Sequence, residues 1–360
     1  MIPLYKPYMP ELPELNDILH SGALGYGKWG KLFESKLRNY IGVDRLMITS
    51  SYAAAIQIAL SSLNLKPGDE VITSPMSCLA SNMPLKTFGL TVVWADIDPS
   101  TGTLLPESVK EKITSNTKLI FHNQFCGYMG YIDEINEIGK EYGIPVIDDC
   151  VEAFGSKYKG NYSGNLNTDI SIFSFQTVRL PNTIDGGAIV FNNEKLYNAA
   201  LLIRDFGINR SAFRDENNEI SAQCDIAIPG YGATMSEVNS YIGCKQIDDI
   251  DLLLNKQKVN AKQWDAYFDE KFHNVYSLSK KEVEPNYWVY GFLTDKKYDM
   301  MQFFRNRGYY ASGVHLNNNV YSVFNNKVCL HGVSEFTNRF LAIPCGWWFD
   351  NNVGMKSFSE

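Results

Sequence analysis

The densest chemistry in the chain lies around one loop. An apolar run at residues 170–175 opens into a polar stretch carrying Ser174, Gln176 and Arg179, and a second apolar run at 188–191 follows Gly186-Gly187. An apolar strand opening into such a loop is a common place for a site in an α/β sheet. A guanidinium is protonated at every ordinary pH, so Arg179 can hold an anion but is a poor base. Residues 50–63 read as a helix opened by a serine that caps it. Such a start offers free N–H groups and a positive dipole end to an anion. Two carboxylates, Asp148 and Asp149, close the strand-like run 145–149.

Other constellations read as structural. Five histidines, none at metal-ligand spacing to another His or Cys, make a zinc site improbable. His122 and Cys126 are four apart, but His122 ends an apolar run and reads as a satisfied core histidine. Gly25-x-Gly27-x-x-Gly30 matches a dinucleotide fingerprint in letters only, because no apolar strand precedes it. It reads as a mobile loop, with Tyr26 and Trp29 available to cover a ligand.

The positioning elements alternate. Strands are expected at 46–49, 71–74, 90–95, 119–123 and 145–149. Helices are expected at 11–20, 31–40, 50–63, 77–88, 106–113, 132–142 and 194–206. Short apolar strands between helices imply a mainly parallel sheet covered on both faces. Residues 157–164 read as a hairpin and 209–230 as a long loop. A helix at 236–249 and a longer one at 250–268 lead out of the first domain, followed by a strand at 287–293 and a helix at 299–306. The Asn-rich, aromatic tail shows no clear pattern.

A chain of 360 residues, 45% hydrophobic, is long enough for two domains. The net charge of −7, without a Lys/Arg-rich run, argues against nucleic acid or an anionic membrane as partner. Seven scattered cysteines, without a Cys-x-x-Cys pair or a signal-peptide core, point to reduced thiols in the cytoplasm. No apolar run approaches the roughly 18 residues that span a bilayer.

Together the motifs resemble the DegT/DnrJ/EryC1/StrS sugar aminotransferases, which use pyridoxal phosphate (PLP). The match rests on Gly68-Asp-Glu-Val-Ile-Thr-Ser-Pro75, Asp96-Ile-Asp98, Ile147-Asp-Asp-Cys-Val-Glu-Ala-Phe-Gly155, Ser174-Phe175 with Gly186-Gly187, Gly230-Tyr231 with Met235-Ser-Glu237, and Leu341-Ala-Ile-Pro-Cys-Gly-Trp-Trp348. Its order and spacing hold across most of the chain. The resemblance implies an α/β, type I PLP-transferase fold. That is a mainly parallel, seven-stranded-type sheet with helices on both faces (residues 1–250) and a smaller C-terminal α/β domain (251–360). Relatives continue into a last helix where this chain stops, so the small domain is expected to be trimmed.

The same resemblance assigns the site. Asp149 matches the aspartate that holds the ring nitrogen. Glu152 stands near the phenolic oxygen, where relatives carry Gln or His. Cys78 takes the place of an aromatic packed on the ring. Ser174 remains as a phosphate donor. Ser51, Tyr52 and Ala53 replace a phosphate-binding S-G-T, so a glycine and a hydroxyl are missing. Gly232 and Thr234 replace an asparagine given by the partner subunit and an arginine. Arg179 falls on the Schiff-base lysine and cannot form that bond. It is either a surface or ion-pairing arginine, or a fixed cation in the lysine pocket.

The implied function is a divergent nucleotide-sugar aminotransferase homologue of polysaccharide or deoxyaminosugar biosynthesis, without a lysine–cofactor bond. PLP or its amine form PMP, if held, is held non-covalently and weakly. The alternatives are a non-catalytic nucleotide-sugar-binding protein or partner subunit, or a PMP-dependent dehydratase-like enzyme. The expected partners are a nucleotide-linked keto sugar and a second subunit. That subunit is a copy of this chain or an active paralogue.

Overall fold

The computed structural model describes residues 1–278 and 280–349. Its centre is a seven-stranded sheet: β1 (Leu46–Thr49), β2 (Glu70–Thr73), β3 (Thr91–Trp94), β4 (Thr117–Asn123), β5 (Val146–Asp149), β6 (Ile170–Ser174) and β7 (Gly187–Phe191). The spatial order is β1-β7-β6-β5-β4-β2-β3. Neighbours from β3 to β6 pair in parallel, and β7 runs against both β6 and β1. The strands are short and almost wholly buried because helices cover both faces, which explains their continuous apolar runs.

Helix α1 (Lys28–Ile41) begins three residues before its expected start. Helix α2 (Tyr52–Ser62) is capped by Ser51, whose side chain accepts from the Ala54 N–H. Ser50 therefore lies outside the helix that was expected to begin with it. Helices α3 (Leu79–Thr87) and α4 (Ile132–Tyr142) fill further crossovers, and α5 (Glu194–Arg204) follows the last strand of this sheet. The hairpin at 157–162 and the long loop after α5 stand where the sequence places them.

The two helices expected at 236–249 and 250–268 are one. Helix α6 runs unbroken from Glu237 to Lys271, over 35 residues. No glycine or proline near Ile250 supplies a stop, and Ile250, Leu253, Leu254 and Gln257 continue the buried stripe. Residue 250, the expected domain boundary, thus sits inside a continuous helix.

The C-terminal half of α6 lies on a three-stranded antiparallel sheet, β8 (Val275–Ser277), β9 (Tyr290–Thr294) and β10 (Phe340–Ile343). Trp264 anchors this core, fully buried against Tyr290, Phe304 and Tyr309 and donating its indole N–H to the Pro344 carbonyl. Burying one such side chain contributes about 2–3 kcal/mol. The expectation of a trimmed C-terminus falls on residues outside those described. Among the described residues no helix is long and apolar enough to cross a membrane, and no group of three His, Cys, Asp or Glu is placed to hold a metal ion.

Candidate active site

The C-terminal ends of the parallel strands, where an α/β sheet places its ligands, bring most of the expected residues together. Asp149 ends β5 and is fully buried. Its Oδ1 accepts from the Tyr52 phenol at 2.8 Å and from the Val151 N–H at 3.2 Å, while Oδ2 has no hydrogen-bond partner among the described residues. Burial pushes the carboxyl up to about 6, against the lowering influence of the nearby Ser81 hydroxyl and the Tyr52 phenol. Tyr52 is the first residue of α2 and 1% exposed. Its phenol oxygen also lies 3.0 Å from Ser81 Oγ.

Arg179 sits in the turn after β6, its N–H bonded to the Gln176 carbonyl. The structure rejects the surface alternative for this residue, which is only 7% exposed. Nη1 donates to Glu152 Oε1 at 3.2 Å, and the guanidinium lies 4.4 Å from the centre of the Trp288 ring. Its buried Nε has no hydrogen-bond partner among the described residues. Trp288 is fixed by its indole N–H on the Val178 carbonyl, and Tyr5 stacks on it at 5.7 Å.

Glu152 is the hub. Oε1 also meets His315 Nε2 at 2.7 Å, and Oε2 accepts from the Cys126 N–H at 2.7 Å. Burial alone would raise this carboxyl, but His315 and Arg179 beside it hold it down at about 2. Glu152 is therefore an anion with a partner at each oxygen. Asn286 secures the backbone around it, donating to the carbonyls of Glu152 and Phe154, and is itself held by Gln257 of α6.

Cys78 is half-buried at the start of α3. Burial, then the Glu152 carboxylate, pushes its thiol up, so it stays neutral in the field of Glu152, Arg179 and Asp149. Ser174 ends β6 buried, its Oγ accepting from the Gln176 N–H. Ala53 is exposed on α2. Gly232 lies against Phe206: a Cβ there would meet the Phe206 ring at 2.4 Å.

Two expectations fail here for physical reasons. The glycine-rich loop is not free. The N–H groups of Gly27, Trp29 and Gly30 all donate to the Glu237 carboxylate at the start of α6. Tyr26 bonds Glu34 under the Arg204 guanidinium, and Trp29 packs edge-on against Tyr241, so neither is available as a ligand cover. His122 is buried but not satisfied. Among the described residues neither ring nitrogen has a hydrogen-bond partner, and desolvation lowers it to about 3, so it stays neutral.

Sequence reasoning does not find His315, Trp288, Ser81 or the Cys126 amide. His315 lies in the aromatic and Asn-rich tail, where no periodicity marks it, and Trp288 reads only as part of the strand expected at 287–293. A backbone N–H leaves no sequence signal.

These features define an α/β transferase scaffold with its site at the strand ends. The model of the DegT/DnrJ/EryC1/StrS aminotransferase family matches residues 9–349, and the chain belongs to that family. A curated relative, protein MJ1066 of Methanocaldococcus jannaschii, is 30% identical over 298 residues, covering 81% of this chain and 76% of its own. Among solved structures, the sugar aminotransferase CalS13 from Micromonospora echinospora superposes with a TM-score of 0.88 at 26% identity, covering 98% of this chain and 96% of its own. The putative sugar aminotransferase Spr1654 from Streptococcus pneumoniae in its PMP form gives 0.88 at 22%, covering 99% and 98%. The fold is the type I PLP-transferase fold that the resemblance implied.

Proposed function

We propose that this chain is a sugar aminotransferase homologue that does not transaminate: it holds a nucleotide-linked keto sugar without a lysine bond to a cofactor. The observation that carries this reading is the buried Arg179–Glu152 pair at the position the family gives to its lysine. A guanidinium cannot become the amine nucleophile or proton shuttle that such chemistry needs. Moving it away would take a fixed counter-charge from the buried Glu152 carboxylate, so the pair is a fixed part of the protein.

The present residues do not fit PLP. Asp149 keeps one oxygen without a hydrogen-bond partner among the described residues, but its other oxygen is engaged by Tyr52. Ala53 offers no hydroxyl, and Phe206 lies where a side chain at position 232 would stand. The wall formed by Tyr5 and Trp288, with Tyr5 41% exposed, supports a sugar or base face as ligand. The likeness to the sugar aminotransferase CalS13 supports the sugar class. We place the protein in a homodimer, or in a heterodimer with an active family member, serving polysaccharide or deoxyaminosugar synthesis in the cytoplasm.

The test has two parts. The purified protein is mixed with PLP and scanned for the visible band of a lysine Schiff base, and none is expected. Saturation-transfer NMR with UDP-, dTDP- and GDP-linked sugars should then detect binding of at least one. A Schiff-base band with amino transfer from glutamate overturns the non-transaminating part. No binding by any of the three overturns the ligand.

A further inference from the structure

We infer that the Tyr52 side chain is a built-in occupant of the cofactor-ring position, and that it, rather than the loss of the lysine, closes the site to PLP and PMP. The inference deepens the reading above and rests on it for the identity of the site.

Tyr52 directly follows the capping Ser51, at the point where α2 presents its unpaired N–H groups. A phosphate held there and a ring nitrogen held at Asp149 mark the two ends of a flat aromatic ligand. The Tyr52 side chain already joins those two points. It starts at the helix terminus, presents an aromatic ring, and ends in a donor 2.8 Å from Asp149 Oδ1. It is therefore a chemical mimic of the ligand's ring with its N–H. Tyr52 is 1% exposed and Asp149 0%, so no solvent-filled space separates them. Ser81 fixes the phenol oxygen from the other side. Entry of a cofactor ring would require breaking a buried charge-assisted hydrogen bond and expelling a buried aromatic side chain, both unfavourable.

The surroundings agree with an internal ring. Cys78 is a small side chain where an external ring would want a broad stacking face, and Ala53 adds no donor beside the helix start. Asp149 itself is intact, and its Oδ2 is still without a hydrogen-bond partner among the described residues. Removing the Tyr52 ring therefore exposes a carboxylate ready to receive a ring nitrogen, whatever stands at position 179.

Equilibrium dialysis with PMP and absorbance with PLP test this on the full-length protein. Wild type is expected to retain neither. Arg179→Lys alone is expected to give no Schiff-base band. Tyr52→Phe, which keeps the ring and fold, is expected to retain no PMP. Tyr52→Gly with Ala53→Thr should bind PMP at least about tenfold more tightly than wild type, and adding Arg179→Lys should then produce the band with PLP. Three results overturn the inference: PMP retained by wild type or Tyr52→Phe, a band in Arg179→Lys alone, or a folded Tyr52→Gly/Ala53→Thr protein that binds PMP no better than wild type. If that double variant does not fold, the wild-type and single-variant results still decide. A Schiff-base band in the wild type ends the proposed function, whereas PMP retention without a band ends only the role given to Tyr52.

Discussion

His315 Nε2 and Glu152 Oε1 lie 2.7 Å apart although 163 residues separate them in the chain. This contact fastens the segment ahead of the last small-sheet strand to the loop after β5. Arg179 approaches the same oxygen from the turn after β6. One carboxylate thus ties together three segments distant in sequence.

Glu152→Gln should consequently destabilise the protein strongly. It leaves the Arg179 guanidinium buried without its counter-charge, a change that costs about 3–5 kcal/mol. Urea unfolding followed by circular dichroism measures it. A loss below about 1 kcal/mol would show that the pair is not the hub described.

Glu152 and the Asp148–Asp149 pair should respond to pH in opposite directions, so both acid and base cost stability. The folded value of Glu152, about 2, lies below its ordinary 4.5, so its stabilisation is complete above about pH 4.5 and disappears as pH falls toward 2. Asp148 and Asp149 are raised by burial from 3.8 to about 7 and about 6. For them the folded state holds protons that the unfolded state releases, so stability falls as pH rises from about 4 to 7. Urea midpoints should decline between about pH 4.5, where the Glu152 contribution is complete, and about pH 7. Asp148→Asn, which keeps the size but removes the charge, should flatten that decline; an unchanged slope would refute the assignment.

Glu237→Ala should release the glycine-rich loop. Three backbone N–H groups lose the carboxylate they share, and about 2–3 kcal/mol of stability should go with them. Hydrogen exchange at Gly27, Trp29 and Gly30 should accelerate at least about tenfold, and the same amides staying protected would contradict this account.

Ser51→Ala removes the α2 cap and should cost about 1 kcal/mol, with Ser51→Asn close to neutral. Thermal unfolding of the two variants side by side checks it. Equal losses would mean that the side-chain oxygen is not what holds the helix start.

Much of the scaffold is legible in the chain itself. The alternation of short apolar strands with helices is a local pattern, set by side-chain period and caps, and it locates β1 to β7 and α4 to within a few residues. The family motifs mark Asp149, Arg179 and Glu152 in the sequence, and the structure brings all three to the strand ends. Residues 236–268 read as two helices where there is one, because the expected break at residue 250 is marked by no glycine or proline stop. The sequence also leaves open whether Arg179 faces solvent or a buried partner.

The sequence by itself therefore determined the elements, the family and the chemical types at the site. Only the tertiary structure decided how those groups are paired. Tyr52 and Asp149 are 97 residues apart, and their bond depends on β5 and α2 meeting across the sheet order. His315 and Trp288 reach the Glu152–Arg179 pair only because α6 carries the small sheet back against the strand ends. Local patterning fixes period and polarity; it holds no record of which distant donor will fill a buried carboxylate, and in this protein that choice sets what the site can bind.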